Sequence, residues 1–162
     1  MENRDEFCDI FYYPFSIFHS YFLLNYLLFS IMITVLFHTE SHYPVSRKKV
    51  KEAIADALVN KVFRNTEVSV SIVGDRQMKK LNKQYRALDK TADVLSFPTH
   101  DPTQPSPIPF VESPDDILRL GDIVVSYPQA RLRAIKENKL IDDVIVFLAL
   151  HGLDHLMGKH HE

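Results

Sequence analysis

EVSVSIVGDRQMKKLNKQY, residues 67–85, decides how the rest of the chain is read. Val68, Val70 and Ile72 alternate with Ser69 and Ser71, the period-two pattern of a strand buried on one face. Gly74-Asp75 then turns the chain, with Asp75 as the expected helix cap. Met78, Leu81 and Tyr85 recur at three- and four-residue spacing, so Arg76–Tyr85 reads as a short helix burying those three side chains. A strand handed directly to a helix asks for a sheet with helices against it.

The flanking sequence extends the same alternation. Toward the amino terminus, Ser46 caps a helix running to about Val62, with Val50, Ala53, Ile54, Ala57, Leu58 and Val62 on one face. Before it, ITVLFH (residues 33–38) reads as a first strand, apolar and β-branched. Toward the carboxyl terminus, Val94–Phe97 is a brief strand ended by Pro98. Residues 98–117 hold six of the nine prolines and read as a long surface loop. Leu118–Ser126 is a further strand. Ser126 and Pro128 open a helix to about Glu137, and Asn138 closes it. Ile141–Met157 is the most apolar helix, stopped by Gly158. The order βαβαββαα predicts an α+β domain: a mixed β-sheet of about four strands, helices packed against it, and a His-bearing metal helix near the C-terminus.

Composition narrows the function classes. A chain of 162 residues, 46% hydrophobic and 25% charged, fits one globular domain. The single cysteine, Cys8, excludes an internal disulfide framework and a Cys₄ zinc site. A formal charge of −2 excludes nucleic-acid binding through bulk positive charge. The sign is nevertheless uneven: Arg47–Lys90 carries twelve Lys and Arg against five acids, and Thr91–Glu162 six against eleven. Lys48, Lys49, Lys51, Lys79, Lys80 and Lys83 are then either solvated helix faces or contacts to a phosphate backbone.

Residues 1–31 stand apart. They hold ten of the eighteen aromatic residues, and Ile10–Phe37 is nearly free of charge over 28 positions. That is long enough to span a bilayer, so a membrane anchor is one reading. A buried helix is another. A third is a misplaced start, because Phe, Tyr, Ile, Leu and Asn are what AT-rich upstream DNA encodes. On that last reading the domain is residues 32–162, and no stable membrane association is expected.

HGLDHLMGKHHE, residues 151–162, carries the chemistry. His151 and His155 lie four apart on the last helix, hence on one face. Gly158 lets the chain fold back, which brings His161 toward the same point, with His160 as the rival third ligand. Three neutral imidazoles and an open fourth position make a catalytic-type zinc site. The alternative is a helical His pair with an exposed, His-rich tail. Zinc peptidases place a Glu after the first His as general base. Gly152 stands there in this chain, which argues against peptides as substrate.

Three stretches together, LNKQYRALDKTADVLSFP (81–98), LGDIVVS (120–126) and HGLDHLMGKHH (151–161), resemble the YbeY family of bacterial metal-dependent endoribonucleases. The family pattern, LN..YR....TDVLSFP, LGDI.IS and HG.LHL.GYDH, recurs here in order and at matching separations. Lys159 and His160 depart from it, where the family has Tyr and Asp, as does Ala92, where Thr is common. The resemblance implies a zinc-dependent, single-strand-specific endoribonuclease acting in ribosomal RNA processing, in the cytoplasm, with one zinc ion on His151, His155 and His161. It implies a catalytic role for Arg86, whose guanidinium fits a phosphodiester bidentately. Single-stranded or ribosomal RNA, and proteins of the small ribosomal subunit, are the implied partners. The other readings are a metallohydrolase for another substrate, or a non-enzymatic ribosome-maturation factor with a structural metal. Asp93, Ser96 and Asp122, inside the matched motifs, are expected to satisfy backbone donors at strand ends.

Overall fold

A computed structural model describes residues 31–40, 42–99 and 116–158. The readings made for residues 1–30, for most of the proline-rich loop and for His160 and His161 lie outside the described residues. Four strands, β1 (Ile33–Thr39), β2 (Thr66–Val73), β3 (Val94–Pro98) and β4 (Leu118–Ser126), form one mixed sheet. Four helices accompany them among the described residues: α1 (Arg47–Leu58), α2 (Asp75–Arg86), α3 (Tyr127–Glu137) and α4 (Ile141–Leu156). The sheet order is β1-β2-β4-β3, with β1 and β4 both parallel to β2 and β3 antiparallel to β4. The α+β architecture and the mixed four-stranded sheet agree with the sequence reading.

The alternation along β2 divides the molecule. Val68, Val70 and Ile72 are fully or almost fully buried and join Ile123 and Val125 of β4 beneath α1 and α4. Ile54 and Leu58 of α1 and Ile145, Leu148 and Leu153 of α4 complete this core. Each such side chain contributes about 1.5–3 kcal/mol of burial. The opposite face has a smaller apolar cluster, in which Met78 of α2 meets Val73, Leu95 and Val124. The register aligns His38, Ser71, Val124 and Leu95 in one row across the four strands, and Leu36, Ser69, Asp122 and Phe97 in the next. That second face therefore mixes polar side chains (His38, Ser69, Ser71, Asp122) with Leu36 and Phe97 where α2 does not cover it.

The helix ends follow the sequence closely. Ser46 accepts from the Lys49 amide, and Ser126 from the Gln129 amide, as N-cap hydroxyls do. Asn138, in the left-handed region, ends α3, and Gly158 follows the last turn of α4 with φ +78°. Three expectations change. α1 ends at Leu58, although Val62 remains buried under it. Gly74 occupies the cap position of α2 with no side-chain bond, because the Asp75 carboxylate accepts instead from Ser126 Oγ (2.8 Å) and Gln129 Nε2 (3.0 Å). Tyr85 is 60% exposed, since it touches the sheet only at Phe97 and borders an open cleft.

Gly121 sits inside β4 at φ +134°, beside the carbonyl of Phe97, where a Cβ would collide with backbone. Gly121→Ala is expected to combine that clash with left-handed strain and to destabilise by more than about 1–3 kcal/mol. A thermal melt at unchanged wild-type stability would contradict this.

Candidate active site

The carboxyl-terminal half of α4 presents Phe147, His151 and His155 at four-residue intervals, one flank of the helix. The neighbouring flank, with Leu148, Gly152 and Leu156, is buried against the sheet. This close seat depends on Gly152. A Cβ there would lie 2.7 Å from Ile123 Cγ2 and 3.3 Å from Val94 Cγ2. Position 152 therefore faces the sheet, so the missing glutamate is a packing necessity as well as a chemical difference.

The two imidazoles converge. Nε2 of His155 lies 3.1 Å from Nε2 of His151, with ring centroids 4.6 Å apart and planes nearly perpendicular. At that separation one ring can donate to the other, whereas a shared cation requires both Nε2 atoms unprotonated, with the ring protons on Nδ1. Two nitrogens bound tetrahedrally at about 2.0–2.1 Å to one zinc would stand about 3.3 Å apart. The donor pair is thus already spaced for a shared cation. Among the described residues no group of three or more His, Cys, Asp or Glu clusters at metal-binding range. His161 and His160 lie outside the described residues.

Phe147 continues this flank. It is 53% exposed, and its ring is parallel to that of His151 at 6.4 Å. The Arg133 guanidinium covers it at 4.8 Å, a cation–π contact. Arg133 is itself held by Glu137 (2.7 Å) and faces the Asp93 carboxylate at 3.9 Å. Hydrogen bonds from Lys139 and then Arg133 hold the Glu137 carboxyl below its ordinary range. Among the described residues, the Asp93 carboxylate faces Arg133 and not a backbone donor, while its backbone carbonyl accepts from the Ser126 amide at 2.9 Å.

Arg86 ends α2, exposed, with Ala87 in the left-handed region behind it. Its helix packs on the sheet face opposite α4, so Arg86 and the histidine pair are carried by helices on different faces of the sheet. The segment after Arg86 is fastened by Asn82. That residue is 1% exposed, and its Nδ2 donates to the Lys90 carbonyl at 2.7 Å, while its backbone carbonyl accepts from the Ala87 and Leu88 amides. Sequence reasoning passed over Asn82; the available signal was a polar residue on the apolar face of a short helix. Of the Lys group, Lys48 pairs with Glu52, Lys49 with Asp143, and Lys79 and Lys83 with Asp89. The bond to Asp143 raises the Lys49 pKa and, with Ser46 N–H donating to Asp142, ties α1 to the start of α4. Asp122 departs from expectation: it lies within β4, exposed, and lines a cleft instead of bonding backbone.

Three comparisons place this geometry. A family model described as Endoribonuclease YbeY matches residues 36–162. Curated proteins carrying that same name include one from Dehalococcoides mccartyi, 35% identical over 73% of this chain and 67% of its own length. Another, from Persephonella marina, is 34% identical over 73% of this chain and 71% of its own. A third, from Nitrobacter winogradskyi, is 39% identical over 68% of this chain but only 55% of its own. A Thermotoga maritima protein solved in solution shares the fold, with a TM-score of 0.52 and 23% identity over 80% of this chain and 75% of that one.

Gly152→Ala tests the seat of the histidine helix. It is expected to cost about 1–3 kcal/mol, as overpacking does, and to lower the melting temperature by several degrees. Unchanged stability would mean that α4 does not sit this close to Ile123.

Proposed function

The chain belongs to the YbeY endoribonuclease family, and from that premise we propose that it cuts single-stranded RNA with the help of one zinc ion, in the maturation of ribosomal RNA. The observation that carries this reading is the convergence of His151 and His155 on one flank of α4. Two neutral imidazoles at this spacing suit zinc, and His161, six residues beyond His155, is the third ligand we assign. His160 is its rival. Bound there, zinc supplies Lewis acidity and lowers the pKa of water.

The chain's own residues do the rest. The two rings meet at Nε2 and their helix is seated on the sheet through Gly152, which supports a donor pair set before any ligand arrives. No side chain at 152 can serve as a base, which favours a phosphodiester over a peptide. Arg86 meets the negative charge that builds on the phosphate oxygens, with a planar fork that Lys lacks. An RNA strand crossing the short β3 edge would touch Arg86 from one side and the histidines from the other. Among the described residues no helix is long and apolar enough to cross a membrane. We place the activity in the cytoplasm, on ribosomal RNA, with proteins of the small ribosomal subunit as partners. The domain we assign to it is residues 32–162.

Replacing His151 or His155 by Ala is expected to abolish stoichiometric zinc, measured by elemental analysis of the purified protein. His161→Ala should weaken binding more than His160→Ala. Wild-type zinc content in the His151/His155 double variant would end the metal assignment.

Arg86→Ala is expected to slow single-turnover cleavage of a short single-stranded RNA by on the order of 10²–10³. Arg86→Lys should be nearly as slow, with zinc content and fold unchanged in both. Wild-type cleavage by Arg86→Ala would return Arg86 to the solvated surface.

A further inference from the structure

On the sheet face opposite α4, a cleft of about 530 Å³ opens between β1, the exposed side of α2 and the β3 edge. Its floor is the sheet, where His38, Ser71 and Asp122 stand beside Val73 and Val124, set there by the period-two alternation of three adjacent strands. Gln77 of α2 and Glu40 stand at its wall. Tyr85 and Phe97 form its aromatic end, with ring centroids 4.8 Å apart and planes inclined by 58°. Among the described residues, none hydrogen-bonds or ion-pairs with the side chains of Ser71, Gln77 or Asp122. A pocket of this size with a few convergent polar groups and an aromatic wall is the usual form of a small-ligand site.

The charge distribution selects the ligand. Glu40 and Asp122 line the cleft, so a phosphate group would be repelled from it. Arg86 follows Tyr85 directly and stands outside the cleft, where a phosphate would be attracted. We propose that the cleft is a nucleobase pocket, taking one unpaired base with an exocyclic amino group from the RNA strand whose phosphate meets Arg86. This rests on the reading of the chain as an RNA-cutting enzyme and adds a specificity site to it. The base stacks on Tyr85, as unpaired bases do on exposed aromatics. Its amino group donates to the Asp122 carboxylate, which only accepts, while the Gln77 amide can both donate and accept. Adenine and cytosine carry such an amino group; uracil does not.

The test is fluorescence anisotropy of the full chain with short labelled oligomers of adenylate, cytidylate and uridylate. It is run in the His151→Ala background so that the strands stay intact. The adenylate and cytidylate oligomers are expected to bind more tightly than uridylate. Asp122→Ala should weaken those two by about tenfold and leave uridylate nearly unchanged. Tyr85→Ala should weaken all three by about tenfold. Gln77→Ala, a change on the outer surface of α2, gives a second reading should Asp122→Ala fold poorly, and should also narrow the preference. If Asp122 acts only as a repelling charge, Asp122→Ala will tighten all three oligomers alike, and the pocket assignment is wrong. Equal affinity of the wild-type cleft for all three would overturn it as well. Cleavage by the His151-intact protein is scored separately, so failure of the proposed activity is distinguishable from failure of the pocket.

Discussion

The seat of α4 on the sheet is the constraint on which the rest depends. A helix that carries two converging imidazoles must be held at a fixed height and rotation, and Gly152 allows its backbone to approach Ile123 and Val94 directly. The buried flank of Ile145, Leu148, Ala149 and Leu153 then sets the rotation. With that flank inward, Phe147, His151 and His155 have no choice but to line the next one. The close packing that removes a side chain at 152 also removes the carboxylate a peptidase would place there. One geometric demand thus shapes both the stability of the fold and the chemistry open to it.

The sheet itself has two unlike faces, and the difference arises residue by residue. Val68, Val70 and Ile72 on β2 point into the main core, while Ser69, Ser71 and Val73 point to the side where α2 covers only part of the surface. Asp122 and Phe97, paired across β4 and β3, extend that polar and aromatic side to the sheet edge. β3 is both short and at the edge, with Tyr85 of α2 meeting Phe97 on one side and Gly152 of α4 close to Val94 on the other. The polar network of Asp75, Ser126 and Gln129 joins the starts of α2 and α3 at the carboxyl ends of the strands. Nearby, burial and then the charges of Glu40 and Asp75 raise the pKa of Tyr43, whose ring stacks on Tyr127.

Much of this was legible in the chain. The periodicities of β2, α1 and α4, the caps at Ser46, Ser126 and Asn138, and the element order are local properties, set by side-chain shape and backbone preference over a few residues. The i, i+4 spacing of His151 and His155 likewise sufficed to put them on one face. What the sequence left undecided concerns contacts between distant segments. Asp75 looked like a cap because local rules govern such a position, yet two partners more than fifty residues away claim its carboxylate. Tyr85 followed the apolar spacing of α2 but became exposed, because the extent of the sheet beneath a helix is not written in that helix. Asn82 and Asp122 gained their positions only when a loop and three strands were brought together. Local pattern determines which elements form; tertiary packing decides which of their polar groups are spent on one another and which are left to meet a ligand.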